Sequence, residues 1–447
     1  MRDHEPRDER KLAPDSALLR AVGVSGLTAA IVNVTVGGGI FRLPSGVAAS
    51  LGAAAPLAYL VCAIAMGLIV LCFAEAGSRV ALTGGPYAYV EVAFGPFVGF
   101  VTGALLWAGI TAALAGVTSF FTDSLAALIP AFASTAARGI VMLVILGALT
   151  LLNIRGVQDA SRFNAVMTIA KLLPLAFLVC AGAFAVHRAN LAWHGAPSAA
   201  ALGRSSLFLI FAFLGVETAL VPSGEVKDPA RTVPRAIFLA IGSIAVLYVA
   251  VQIVAQGVLG ASLATTKTPL ADAGGAAFGS PGRTLILVGS MVSMFGYVSG
   301  MTLAVPRMLF AFARDGFLPR GVAAVHPRFR TPHRAIMIQA IVVALLASRS
   351  FEWLAIVANG TVLLVYATCC LATLELRRRD VRAGGVPFRV PAAGLVPFLA
   401  LAVILALLAT LQRGEWLAIL VVVISAIVVF VVTRPRRSPV VAESVGD

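Results

Sequence analysis

The sequence predicts an all-α membrane protein of twelve transmembrane helices, on three observations. Only 12% of its 447 residues are charged and 60% are hydrophobic, against roughly 25% charged in soluble domains. Apolar runs recur along the chain at lengths that cross a ~30 Å hydrocarbon core, which takes about 20 helical residues. The basic residues sit mainly in alternate gaps between those runs, as the positive-inside rule requires of a protein that threads a bilayer repeatedly.

Taken in order, the runs lie near 22–50, 53–77, 94–120, 138–153, 163–187, 204–224, 233–259, 283–312, 333–349, 352–375, 393–411 and 415–433. They divide the chain into a tail at 1–20, a core at 21–375, a loop at 376–392, two further helices within 393–433 and a tail at 434–447. With the N-terminus inside, inner loops and tails hold 25 of the 34 Lys and Arg, outer loops hold seven, and Arg42 and Lys171 fall within spans. Both termini are therefore expected in the cytoplasm, and the protein in the cell membrane, the plasma or inner membrane according to the cell. The first 20 residues form a mixed-charge tail, so span 1 is expected to act as its own insertion signal.

The net charge of +14 does not point to nucleic acid, because the basic residues form no single polar face. Cys62, Cys72, Cys180, Cys369 and Cys370 all lie in apolar runs, where thiols pack as small hydrophobes, and no disulfide is expected. His4, His187, His194, His326 and His333 show no metal-ligand spacing, and neither a metal nor a cofactor is expected. No Ser-His-Asp elbow, HExxH helix or phosphate-binding loop occurs, which argues against an embedded enzyme. A nutrient sensor would carry a soluble signalling domain, for which the short tails leave no room.

Two spans violate helix continuity. A membrane helix breaks only where its freed backbone lines a cavity, since unpaired N–H and C=O groups facing lipid cost several kcal/mol. Span 1 carries Thr35-Val36-Gly37-Gly38-Gly39-Ile40-Phe41, and span 6 carries Phe211-Ala-Phe213-Leu214-Gly215-Val-Glu217, with Pro222 and Gly224 behind it. Each of the three consecutive glycines costs a helix roughly 1 kcal/mol relative to alanine. The breaks are five spans apart, the pointer to an inverted repeat of spans 1 to 5 and 6 to 10, about 21–190 and 200–375, with a site between the halves. Free amides at Gly37, Gly38 and Gly39 would hold a carboxylate. Freed carbonyls near Phe211, Phe213 and Leu214 would accept from an ammonium group, and a solute with both is an α-amino acid. The competing reading of the glycines is close packing of small residues.

These residues resemble the amino acid, polyamine and organocation transporter superfamily over about residues 20–375. The resemblance is carried by Gly37-Gly-Gly-Ile-Phe41 with Leu43-Pro44, Ala74-Glu75 through Ser78-Arg79, and Gly84-Gly-Pro-Tyr87-Ala-Tyr89-Val followed by Ala93-Phe-Gly-Pro96. It continues in Glu225-Val-Lys-Asp-Pro229-Ala-Arg231, in Pro306-Arg307 through Arg314-Asp315-Gly316, and in His326-Pro with Thr331-Pro332. It implies a leucine-transporter-like 5+5 fold with helices 1 and 6 broken, alternating access, and solute held between spans 1, 3, 6, 8 and 10. Gly38 stands where the family often has a hydroxyl residue, and Phe211 where relatives that exchange basic substrates often have tryptophan.

Ionisable groups inside a span cost about 2.5–3.5 kcal/mol on insertion scales and are functional candidates. Lys171 lies where resembling transporters keep a lysine in place of a sodium ion. It is expected to bridge the span 1 break and span 8 at Ser293, with its protonation linked to transport; the alternative is snorkelling. Glu217, a further candidate for proton coupling beside Lys171 and Ser293, matches an acidic position in relatives that move basic solutes, or it serves as a neutral acid bonded to the helix breaks. Trp107, Phe211, Phe213 and Tyr297 are candidate pocket aromatics that could equally be packing, and Asn359 is a candidate polar contact or an interhelical pair. The expected function is secondary active, sodium-independent amino acid transport by proton-coupled symport or exchange. The alternative is exchange of cationic amino acids or polyamines. Expected partners are the small solute, membrane lipid and a second copy through spans 11 and 12.

Overall fold

A computed structural model of the chain describes residues 22–433 except 81–84, 156–159, 193–194, 221–225, 383–385, 391 and 393, with the backbone alone at 160–169 and 219. The tails at 1–20 and 434–447 and the motif residues Gly84, Pro222, Gly224 and Glu225 lie outside the described residues. The described chain is all-helical apart from an isolated backbone bridge between Val22 and Val226. Eight helical stretches are long and apolar enough to cross a membrane, and four shorter apolar helices accompany them, Val24–Thr35, Ala170–Ala185, His333–Leu346 and Leu395–Leu408.

Span 1 does not form one rod. It divides into α1 (Val24–Thr35) and α2 (Gly39–Leu51). Residue Gly52, at φ 53°, ends α2, and after a 3₁₀ turn the chain enters α3 (Ala55–Arg79). Next comes α4 (Pro86–Phe94), a short helix where the sequence reading has only a loop. Its proline at the first turn needs no N–H partner there, and Gly95 at φ 88° separates it from α5 (Pro96–Leu128). Then follow α6 (Thr135–Arg155) and α7 (Ala160–Gly182).

Span 6 is also divided. Ser198 caps α8 (Ala199–Phe213) by accepting from the Ala201 N–H, Leu214 is extended, and Gly215 at φ 129° leads into the short α9 (Val216–Ala219). Beyond it lie α10 (Pro229–Leu259), α11 (Pro269–Ala304) and α12 (Pro306–Arg314). A kink at Gly279, φ 70°, interrupts α11, so helix begins well before the expected start of span 8. The remainder are α13 (His333–Leu346), α14 (Phe351–Arg378), α15 (Leu395–Leu408) and α16 (Arg413–Thr433).

Packing brings the two breaks together. Helix α1 lies on α10, α2 on α8, and α3 against both α8 and α10, while α5 packs along α14 and α11. The outer faces are apolar: Ile140, Leu143 and Val144 of α6 and Leu417, Val421 and Val428 of α16 are exposed. Such surfaces are stable only against hydrocarbon.

Two polar ties pin opposite ends of the bundle. At one end the fully buried Glu75 accepts from Arg79 Nε at 3.0 Å, Arg377 Nε at 2.9 Å and the Val390 N–H at 2.9 Å. The Phe388 N–H donates to Ser78 Oγ at 3.0 Å, so the segment after α14 is strapped over α3. At the other end Arg42 of α2 pairs with Glu352 of α14 at 3.0 Å and donates to the Lys267 carbonyl at 2.8 Å. The Arg42 guanidinium lies over the Phe120 ring, 6.0 Å from its centroid.

Candidate solute-binding site

The site grows from the two interruptions. After Thr35 the α1 ladder stops: the Gly37 N–H turns back to the Thr35 carbonyl at 2.8 Å, and the Phe41 N–H reaches the Gly38 carbonyl at 3.2 Å. The amides of Gly38, Gly39 and Ile40 meet no backbone acceptor among the described residues, and no side chain caps α2. The unengaged donors thus sit one residue later than expected, at the positive end of a thirteen-residue helix. In span 6 the Ala212 carbonyl accepts from Tyr248 at 3.0 Å and the Gly215 carbonyl from the Thr218 N–H at 3.0 Å. The carbonyls of Phe213 and Leu214 meet no backbone donor among the described residues.

Each glycine of the first break faces a different wall. A methyl group on Gly37 would lie 3.1 Å from the Tyr297 ring, and one on Gly38 3.0 Å from both Met294 Cγ and Val117 Cγ1. One on Gly39 would lie 2.9 Å from Phe211 Cδ1. None of the three has the positive φ that only glycine tolerates well. Their identity reflects close approach, and the packing and open-backbone readings hold together. Gly215 differs, since its φ of 129° is compounded by a Cβ position 2.9 Å from the Val34 backbone carbon.

Thr35, Gly37, Gly38, Gly39, Ala113, Val117, Phe211, Leu214 and Tyr297 line a narrow cavity of about 10 Å³ between the breaks. That is room for about one water, so the walls are closed around the two breaks and must part to admit a solute. Thr35 lines it, and its Oγ1 is buried with no hydrogen-bond partner among the described residues. Val36 and Ile40 are fully buried beside it without contributing to the lining. Above the cavity Phe211 meets the Phe351 ring edge-on at 5.2 Å, and Phe351 meets Phe120 at 5.8 Å.

The other sequence-selected residues lie around this centre. Glu217 is buried and accepts from the Gly215 N–H at 2.9 Å and from the Tyr366 hydroxyl at 2.8 Å, tying the span 6 break to α14. The Lys171 ammonium donates to the Asn33 carbonyl in the last turn of α1. Ser293 Oγ is buried with no partner among the described residues. Phe213 packs edge-on against Tyr248 at 5.3 Å. Asn359 Nδ2 donates to the Leu207 carbonyl at 2.7 Å, clamping α14 to α8. Trp107 Nε1 donates to Gln339 Oε1 at 2.8 Å, facing α13 and not the cavity.

Sequence reasoning missed Ala113, Val117 and Met294, ordinary apolar residues in apolar helices with no signal of their own. It also missed Tyr248, whose hydroxyl lies 3.0 Å from the Ala212 carbonyl and 3.3 Å from the Thr35 carbonyl, and Tyr366. Both are phenols at mid-span, where a hydroxyl needs a partner, and that signal was available.

Comparison with known proteins agrees with this architecture. The sequence pattern of the family described as "Amino acid permease" matches residues 22–433. A methylthioribose transporter of Bacillus subtilis is 28% identical over 438 residues, 94% of each chain. The serine/threonine exchanger SteT of the same organism is 28% identical over 399 residues, 87% of this chain and 90% of its own. The branched-chain amino acid permease BcaP of that organism is 26% identical over 449 residues, 95% of each. A match spanning nearly the whole helical chain, on a fold with long apolar helices and an apolar exterior, identifies a multi-pass membrane transporter rather than an enzyme, and the chain belongs to the amino acid permease family.

Proposed function

We propose that this chain is a secondary active transporter of α-amino acids that works by alternating access. In this reading the eight long and four short apolar helices form twelve spans, with spans 1–5 and 6–10 as inverted repeats at about 21–190 and 200–375. Spans 11 and 12 lie outside the repeats, available to lipid or to a second copy. Both termini face the cytoplasm of a cell in whose membrane the protein resides. The observation that carries the reading is the meeting of two helix breaks at one cavity. Amides without a backbone acceptor among the described residues, at Gly38, Gly39 and Ile40, belong to one break, and carbonyls without a backbone donor among them, at Phe213 and Leu214, belong to the other. A zwitterion satisfies both sets at once, and Thr35 Oγ1 adds a hydroxyl at the carboxylate end.

Alternating access needs closures on both sides of the site. The Arg42–Glu352 pair over the Phe120, Phe351 and Phe211 rings serves as the outer closure, and the Glu75–Arg377 tie as the inner one. Lys171, bonded to Asn33 at the end of α1, stands where a cation would otherwise steady the break. Its proton is the coupling species for sodium-independent symport or exchange, with Ser293 as its second partner when the break moves.

Uptake of labelled alanine into proteoliposomes, competed in turn by serine, leucine, arginine, putrescine and methylthioribose, tests the reading. Competition by at least one α-amino acid is expected. No uptake of labelled alanine, with labelled methylthioribose taken up in its place, would replace the amino acid reading with a neutral thiosugar one.

A further inference from the structure

The arginines at the Glu75 end of the bundle fall into two groups. Arg79 and Arg377 pair with Glu75, Arg378 and Arg379 with Glu375, and Arg382 with Asp380. By contrast Arg320, Arg328, Arg330 and Arg334, on the chain from α12 into α13, meet no carboxylate among the described residues. We propose that this second group is a docking site for the phosphate headgroup of an anionic phospholipid. The proposal rests on the protein being membrane-embedded and is independent of which solute it carries.

The loop that carries these arginines is held by named bonds. The His326 N–H donates to the Thr331 carbonyl at 2.8 Å, the Arg330 N–H returns to the His326 carbonyl at 2.9 Å, and His326 Nδ1 accepts from the N–H groups of Arg328 at 3.2 Å and Phe329 at 3.3 Å. Arg330 is thereby fixed at φ 55°, a left-handed conformation that an arginine keeps only where its surroundings impose it. Thr331 Oγ1 anchors the turn to the Ile154 carbonyl at the end of α6, 2.6 Å away. Arg334 Nη1 donates to the Gly321 carbonyl at 3.3 Å, which draws the first turn of α13 onto the segment of Arg320.

Charge and surroundings select the partner. The sequence has no Asp or Glu between Asp315 and Glu352, and none in α6. Arg334 stands in the first turn of α13, where the helix dipole already disfavours a cation, and no acid offsets it there. The positive-inside rule explains why basic residues lie at this end, but not why four are gathered on one tied loop without counter-charge. All four are exposed, and so are the apolar side chains that continue from them, Met337, Ile338 and Ile341 on α13 and Leu151 and Leu152 on α6. A soluble anion has no use for that flank. A phospholipid meets both surfaces, its phosphate taking the planar donors of the guanidinium groups and its acyl chains covering the helices.

The test titrates the purified full chain, in a neutral detergent, with phosphatidylglycerol or with phosphatidylcholine of the same acyl chains, and reads affinity from the rise in unfolding midpoint. A guanidinium beside an anionic lipid contributes about fivefold in affinity, and two contribute about thirtyfold. The native protein is expected to bind phosphatidylglycerol at least about tenfold tighter than phosphatidylcholine. Arg328→Gln with Arg330→Gln should remove that preference, as should Arg320→Gln with Arg334→Gln, which leaves the His326 turn untouched. Arg231→Gln with Arg235→Gln takes the same charge from the start of α10 and should leave the preference within about threefold of native. Matched elution profiles and lipid-free midpoints show that the variants fold. Equal affinity for the two lipids in the native protein, or an equal loss in all three double variants, overturns the proposal. So does glycerol 3-phosphate raising the midpoint as far as the lipid does, since the site would then bind an anion with no need of the bilayer.

Discussion

The hydroxyl of Tyr248 on α10 lies 3.3 Å from the carbonyl of Thr35, the last residue of α1, and the same oxygen donates to the Ala212 carbonyl at 3.0 Å. One phenol thus joins the ends of both interrupted helices. Tyr248→Phe keeps the ring contact with Phe213 and removes only that donor. Two buried carbonyls then compete for none, a loss of about 1–3 kcal/mol. Thermal unfolding of the variant in detergent is expected to fall by a few degrees, with alanine affinity reduced as the breaks separate. Unchanged stability and affinity would show that the hydroxyl joins nothing.

Gly215 tolerates no side chain, because it combines φ 129° with a Cβ position 2.9 Å from backbone of α1. Gly215→Ala is expected to lose about 2 kcal/mol or more, through strain plus a displacement that nearby rotamers cannot absorb. Gly67, with nothing within 4 Å of its Cβ position, supplies the control. Gly67→Ala should retain full expression and uptake.

Glu217 accepts two hydrogen bonds and touches none of the cavity. Glu217→Gln keeps its shape but presents an amide N–H₂ to one donor, so the tie between the span 6 break and α14 weakens. The maximal uptake rate should fall while the order of competing solutes stays the same. A reordered preference would place this acid in recognition.

Lys171→Met retains the apolar stem and removes the ammonium that bonds Asn33. Uptake by the native protein is expected to vary with pH between 5 and 8 and by the variant to be slower and flat across that range. Equal, pH-independent rates in both would end the coupling role.

Glu75 is fully buried against Arg79 and Arg377. Glu75→Ala leaves Arg79, itself fully buried, without its carboxylate, and removing one partner of such a group typically costs about 3–5 kcal/mol. Loss of folded protein from the membrane fraction is the readout. Glu352→Ala at the partly exposed opposite tie should cost about 1 kcal/mol or less.

Much of this was legible in the residues. Helix positions follow from apolar run length, and the break in span 1 follows from three glycines inside such a run, because both are local properties of the chain. Orientation of a side chain around its helix is not local. Trp107 and Val117 share α5, yet one bonds Gln339 and the other faces Gly38. Their apolar surroundings are alike in sequence, so only the packed helices distinguish them. Helix α4 was missed because nine residues between Gly85 and Gly95 carry too little apolar periodicity to separate a short helix from a loop.

The central claim is that the backbone at two helix breaks grips both charged ends of one amino acid. Calorimetric titration of the purified protein with alanine, N-acetylalanine and alaninamide tests it most directly, since each blocked compound removes one charge and leaves the side chain unchanged. The account predicts that alanine binds and that both blocked compounds bind at least about a hundredfold more weakly, the cost of leaving buried polar groups unpaired. Equal affinity for alanine and either blocked compound would contradict it.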